Sequence, residues 1–405
     1  MFFRGLCFAL LSAQAIHAGP VIAAYYSPWS QWSYKEIPYH KLTHLYLSFF
    51  MPDGNGNMPV DGGIPNIDSL VSRAHAAGVK VLPALGGGGT APTFAAIAGS
   101  AAKRATLAHT TRKFLEKNGF DGLDIDWEFP TLADTAALRL MVSVLRDTLD
   151  AMDNGKRGKL ITLAVNCGTY YGQFYRLERF IDKYDLICSM TYDMAGPWSG
   201  STWYNSPLYG DDKPDNYSVQ AGMDYWAGRG VPKSKLLTGT AFYGHTFKNA
   251  TGINQPNKGV GSGDGDLKYQ DIVPMINSGF YKYRWDDVSK VPWGLSSTNE
   301  FVTFDDPRSV AIKGRWLLDQ GYAGTAIWEI SGDIHSGSEY KLLDSLYASL
   351  HPPVATEIKP VVKNGKAATG GKAGLGERRD YLADGRRAPI AWLRRSQRAD
   401  AIPRF

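Results

Sequence analysis

The sequence predicts an α/β fold, a closed (β/α)8 barrel of parallel strands with a small α+β insertion between strands seven and eight, and three observations predict it. Eight apolar, β-rich segments recur along the chain. Patterns of helical period separate most of them, several ending in glycine or asparagine. A length of 405 residues with 44% hydrophobic content supports one barrel-sized core plus an inserted lobe. Strand and helix alternating eight times is the pattern of a parallel sheet closed on itself.

The chain opens with an export signal over residues 1–18: Arg4 gives the positive start, residues 5–11 the apolar stretch, and Ala15 or Ala18 a small-residue exit. That stretch is too short to span a bilayer, and no other run approaches about 18 apolar residues, so the protein is expected to be secreted without a membrane anchor. Removal of the signal takes Cys7 with it. Cys167 and Cys188 remain, too few for a disulfide framework and expected as buried thiols. Strands one to three are expected at 21–29, 42–50 and 80–87, with a helix at 67–77. A helix at 102–118 leads into strand four at 120–129, and one at 135–152 into strand five at 160–168. Strand six follows at 186–194; a helix at 219–228 precedes strand seven at 236–244, and a helix at 308–319 precedes strand eight at 322–330. The barrel is thus expected over 19–245 and 304–351. Residues 246–303, rich in glycine, aromatics and short β-like pieces, are too long for one helix and are expected as the insertion. Asn216 and Asn249 head glycosylation triplets.

Strand four carries the chemistry. Side chains alternate along a strand, so Gly122, Asp124, Asp126 and Glu128 face one way and Leu123, Ile125, Trp127 and Phe129 the other. Burying unpartnered carboxylates costs several kcal/mol, about enough to make a purely structural role for all three untenable. Two functions suit such a row: holding a hard divalent cation, or handling protons, with like charges raising one another's pKa. Neighbours in the row are about 6.6 Å apart and lie on one side of whatever binds, which favours the second reading. The row supplies an acid and leaves a nucleophile to be found elsewhere.

The run Asp121-Gly122-Leu123-Asp124-Ile125-Asp126-Trp127-Glu128 resembles the D-G-x-D-x-D-W-E signature of glycoside hydrolase family 18, the chitinases and their relatives. The resemblance extends over about residues 21–350. Met190-Thr191-Tyr192-Asp193 matches M-x-Y-D at the end of strand six, and Phe242-Tyr243-Gly244-His245 is similar to F-Y-G-R on strand seven. The family relation implies Glu128 as general acid and then base, Asp126 and Tyr192 holding a substrate acetamido group, and Asp124 and Asp193 completing the catalytic set. It places Trp328 as the floor beneath the sugar at the cleavage point. Tyr25, Trp29 and Trp198 fall at sugar-stacking positions, and Gly86, Gly87, Met190 and Tyr243 on the substrate-binding surface. Trp32, Trp203, Trp285 and Trp293 are further aromatic candidates.

Two departures from the family pattern stand out. Ala84 replaces a serine that hydrogen-bonds the first acid of strand four, so Asp124 is expected to be less supported; His245 replaces the arginine of strand seven. The glycines at 86–89 do not form a phosphate loop, because no Lys-Ser/Thr follows. Residues 352–405 hold 12 Lys/Arg and 5 Asp/Glu, a net of +7 against +5 for the chain, and are expected as a basic disordered tail. The remainder, at −2, is not basic, and nothing in it suggests nucleic-acid binding. The expected protein is therefore a secreted, cofactor-free, monomeric chitinase cleaving β-1,4-linked N-acetylglucosamine with retention, the substrate's own acetamido group serving as nucleophile. Alternatives are an endo-β-N-acetylglucosaminidase on glycoprotein glycans and a chitin-binding lectin on the same fold.

Overall fold

A computed structural model describes residues 19–353 except 31, 60–63 and 212–216. The export signal, Asn216 and nearly all of the basic tail lie outside the described residues. Strands β1 (Val21–Tyr26), β2 (His44–Phe50), β3 (Lys80–Gly87), β4 (Gly122–Trp127), β5 (Leu160–Asn166), β6 (Leu186–Met190) and β7 (Leu236–Ala241) build the barrel. The insertion contributes β8 (Tyr243–Phe247), β9 (Asp266–Lys268), β10 (Tyr281–Asp286), β11 (Val291–Ser296) and β12 (Phe301–Thr303); β13 (Gly324–Trp328) returns to the barrel. The ring closes in the order β1-β13-β7-β6-β5-β4-β3-β2, with every barrel pairing parallel. This is the (β/α)8 TIM barrel that the strand count predicts.

Helices α1 (Ile67–Ala76), α2 (Ala91–Ala98), α3 (Ala101–Asn118), α4 (Thr135–Met152), α5 (Thr169–Tyr175), α6 (Val219–Gly228), α8 (Pro307–Asp319) and α9 (Lys341–Leu350) accompany the barrel strands, while α7 (Tyr269–Asn277) belongs to the insertion. Their ends follow local chemistry. Ser100 accepts from the Lys103 N–H to cap α3, and Gly119, at φ +72°, ends it in the left-handed region. Asp306 and Ser309 cap each other around Pro307 at the start of α8. Two apolar layers result. One lies between strands and helices, with Leu123, Ile125 and Trp127 of β4 turned into it. The other fills the barrel with Ala23, Tyr25, Tyr46, Leu82, Ala84, Cys188, Leu237 and Ala326. Cys167 and Cys188 are buried free thiols, as expected.

The segment expected as strand seven divides. β7 stops at Ala241, and Tyr243 opens β8, which pairs antiparallel with β9 and β12 in a five-stranded sheet ordered β10-β11-β12-β8-β9. The Gly244 Cα faces the Thr303 carbonyl of β12, distant in the chain, so closely that a Cβ would stand 2.1 Å from it, and this stretch sits on the inserted sheet. Among the described residues no helix is long and apolar enough to cross a membrane.

Candidate active site

At the C-terminal end of the barrel, β4 delivers its acids inward. Asp124 is fully buried; its Oδ2 accepts from the Tyr25 hydroxyl at 2.9 Å and its Oδ1 from the Thr162 hydroxyl at 2.5 Å. Those two donors stabilise the carboxylate, yet burial outweighs them and pushes Asp124 up to about 6. Asp126, also buried, is raised well above the usual carboxylate range by burial first and then by the charges of Glu128 and Asp124. Its Oδ1 has no hydrogen-bond partner among the described residues. Glu128 is pushed up to about 7 by burial and by the charge of Asp193. A carboxyl group that keeps its proton at neutral pH can donate it.

The glycines beside this row are demanded by close approach. Gly86, at φ +126°, pairs with Asp126, and a Cβ there would stand 1.9 Å from the Asp126 carbonyl oxygen; at Gly87 it would lie 2.8 Å from the Phe49 ring. Gly88 has open space around it. Gly86→Ala is therefore expected to lose at least about 2 kcal/mol of stability in urea unfolding, with Gly88→Ala well under half of that. Equal losses would show that the strand gives way at no cost.

A second cluster faces the row from β6 and the insertion. Asp193, held at φ +56° by the Asn205 side chain accepting from its backbone N–H at 2.8 Å, presents Oδ1 to the Tyr243 hydroxyl at 2.5 Å and to His245 Nε2 at 2.8 Å. His245 Nδ1 lies 3.1 Å from the Gly265 carbonyl. Both ring nitrogens face acceptors, so both carry protons and the imidazolium takes over the positive charge of the arginine it replaces. Burial opposes that charge, but the Asp193 carboxylate prevails and raises the histidine above its ordinary value. Trp198, 64% exposed, stands edge-on over His245 at 5.0 Å. Met190, Tyr192, Tyr243 and Trp328 pack into one group with Ala241. Trp328 is flanked by Phe49, stacked at 5.4 Å and 24°, and by the edge of Tyr25.

Several expectations change. Tyr25 is not a stacking platform: its ring is 2% exposed and its hydroxyl serves Asp124. Loss of the strand-three serine does not leave Asp124 poorly supported, because Tyr25 and Thr162 occupy both of its oxygens. Trp32 and Trp203 are core, whereas Trp285 and Trp293 are half-buried beneath Arg308 and Arg284. Trp29 is 67% exposed beyond β1, outside the Trp328 group. Thr162, Asn205 and Phe49 are the residues that sequence reasoning missed. Only Thr162 left a signal, as a polar residue at an inward position of strand five.

Fold and site together define a hydrolase of glycosidic bonds built on a (β/α)8 barrel. The chain belongs to glycosyl hydrolases family 18, whose profile matches residues 21–333. It is 29% identical over 374 residues to an endochitinase of Manduca sexta, an alignment spanning 81% of this chain and 66% of that one. Among solved structures it is similar in fold to the Ostrinia furnacalis Group IV chitinase in complex with allosamidin (TM-score 0.75, 24% identity, 82% of this chain and 99% of that). It is equally similar to human YKL-39, described as a pseudo-chitinase with retained chitooligosaccharide binding (TM-score 0.76, 24% identity, 82% and 100%).

Proposed function

We propose that this chain is a chitinase that hydrolyses β-1,4-N-acetylglucosamine linkages with net retention. The observation carrying the reading is the buried, unpartnered Oδ1 of Asp126 beside a Glu128 that keeps its proton near neutrality. An acceptor at that place suits the N–H of an acetamido group, and Tyr192 stands ready to donate to its carbonyl oxygen. That carbonyl oxygen attacks C1 as the Glu128 proton passes to the leaving oxygen and the C1–O bond breaks, giving an oxazolinium ion. Glu128, now a carboxylate, takes a proton from water as the water oxygen bonds to C1 and the ring opens. The Tyr25 and Thr162 hydroxyls hold Asp124, whose charge reaches Asp126, and the Asp193–His245 pair keeps a carboxylate near Glu128. Trp328 offers a flat face to the sugar at the cleavage point. A pseudo-chitinase among the neighbours makes the fold alone no argument for turnover; the presence of Glu128, its carboxyl raised to about 7, together with Asp126 and Tyr192, is that argument. Export rests on the signal-like run at residues 1–18.

The first anomer released from N-acetylglucosamine hexamer, followed by proton NMR, is expected to be β. Cleavage is expected to fail where the cleavage-site sugar is deacetylated. An initial α-anomer, or undiminished cleavage beside a free amine, overturns the mechanism. Reducing ends released from glycoproteins but not from the hexamer would replace chitin with glycans as substrate.

A further inference from the structure

Asp193 and Tyr243 meet through one hydrogen bond, and a single buried side chain fixes the backbone on both sides of it. Asn205 is 1% exposed. Its Oδ1 accepts from the Asp193 N–H at 2.8 Å, and its Nδ2 donates to the Tyr243 carbonyl at 3.2 Å. A planar amide carries an acceptor and a donor on one short stem, so one orientation of Asn205 satisfies both ends; a carboxylate in its place has no donor for the second. The first bond also holds Asp193 at φ +56°, a left-handed backbone that residues other than glycine keep only when their surroundings impose it. Asn205 is itself locked in place. Its N–H donates to the Thr303 hydroxyl of β12 at 2.9 Å, and its carbonyl accepts from the Met194 N–H at 3.1 Å. The next residue, Ser206, donates to the Thr191 carbonyl at 2.7 Å and receives the ammonium of Lys313 on its own carbonyl and, at 3.0 Å, on its hydroxyl. Lys313 of α8 is 3% exposed and pairs with the buried Asp305 at 2.6 Å.

We propose that Asn205 is a positioning residue for the reaction: by fixing the backbones of Asp193 and Tyr243 together, it sets where the Asp193 carboxylate stands relative to Glu128 and His245. A buried ion pair adds little to stability beyond what apolar groups of the same size supply, and in this reading the Lys313–Asp305 pair serves to give the Asn205 loop one geometry. Released from Asn205, Asp193 relaxes toward the solvent that already reaches 47% of its side chain, and its charge weakens at Glu128 and at His245 alike. The other titratable groups within electrostatic reach are Asp126 of β4, Tyr192 beside Asp193, Tyr243 of β8 and Asp266 of β9. Among the described residues none of their side chains bonds to Asn205. The effect on turnover rests on the hydrolase reading above; the effect on His245 does not.

Asn205→Ala removes both bonds. In it the basic limb of kcat/KM on N-acetylglucosamine hexamer, set by the proton on Glu128, is expected to move down by about half a pH unit, because the acid ionises sooner when a negative neighbour withdraws. The His245 titration, followed by NMR with 13C-labelled histidine and identified by the signal lost in His245→Gln, is expected to move down by about one pH unit as its carboxylate partner leaves. Thr202→Val is the control: Thr202 is buried in the same loop and bonds the Gly252 carbonyl and the Gln255 N–H, away from Asp193, so both readings are expected to stay at the parent's values. Should Asn205→Ala not fold, Asn205→Ser, which leaves a polar atom in the space, takes its place, with both movements expected in the same direction. A His245 titration that stays at the parent's value overturns the proposal, and so do equal movements in Thr202→Val, which would mean a general loosening of the loop. A limb that stays in place while His245 moves overturns the reach to Glu128. A parent without turnover ends the hydrolase reading, and the His245 titration alone then decides for or against Asn205.

Discussion

Glu128→Gln is expected to slow hydrolysis of N-acetylglucosamine hexamer by about 10³-fold in kcat while leaving KM within about threefold, because the amide keeps the shape of the side chain and removes only the proton it gives and takes back. In the parent, Glu128 must be protonated for the first step and is pushed up to about 7, so kcat/KM is expected to fall as pH rises through that value. The same shift fixes the sign of a stability effect. The folded state holds this proton where the unfolded chain has released it, so stability is lost as pH rises from the ordinary carboxylate value toward about 7. Glu128→Gln carries no such loss and is expected to be more stable than the parent by about 2 kcal/mol at pH 8, with the difference vanishing near pH 4. Calorimetric melts at the two pH values check this. A variant that melts no higher than the parent at pH 8 would mean that the acid is not held protonated.

Asp126→Asn should reduce kcat by about 10²- to 10³-fold for a different reason: it removes the negative charge facing the oxazolinium ion and sets an NH2 donor in place of a carboxylate oxygen that accepts from the acetamido N–H. The two variants are separable by leaving group. An activated aryl leaving group departs without a proton, so it is expected to recover much of the loss in Glu128→Gln and little of the loss in Asp126→Asn. Equal recovery in both would mean that Asp126 acts only by holding Glu128 in place.

Periodicity made the barrel readable. Eight buried strands with polar turns leave their mark within each segment, and the inward face of β4 follows from alternation alone. The strand-end residues Tyr192, Asp193 and Trp328 stood out by their motifs and lie close together, Tyr192 and Trp328 packed with Tyr243 and Asp193 bonded to the Tyr243 hydroxyl. What failed to appear was every contact that depends on which strands become neighbours. Thr162 and Tyr25 meet Asp124 across 38 and 99 residues of chain, and no local pattern records such a distance. The division of strand seven was hidden because Leu236–Ala241 and Tyr243–Phe247 read as one apolar run. Only the close approach of Gly244 to β12 separates them. Trp203 looked like a sugar-facing ring until its indole N–H was found bonded to the Tyr217 carbonyl at 3.0 Å within the core.

The hold that Tyr243 and His245 have on Asp193 makes the inserted lobe a poor unit of exchange. A lobe joined by flexible loops can be cut out, or traded for a relative's, at its ends. Here the first strand of the lobe starts just after a barrel strand ends and carries both donors to a carboxylate that lies beyond the end of another barrel strand. A recombinant that crosses over between Ala241 and Tyr243 must bring in a hydroxyl and a cation at the same two places. Crossing over after Phe247 keeps the native donors but separates β8 from the partners it was fitted to. The boundary of the catalytic centre therefore runs through the lobe, and breeding new cleft walls onto this barrel is better done at its far edge, β10, which touches no residue of the acid cluster in any hydrogen bond among the described residues.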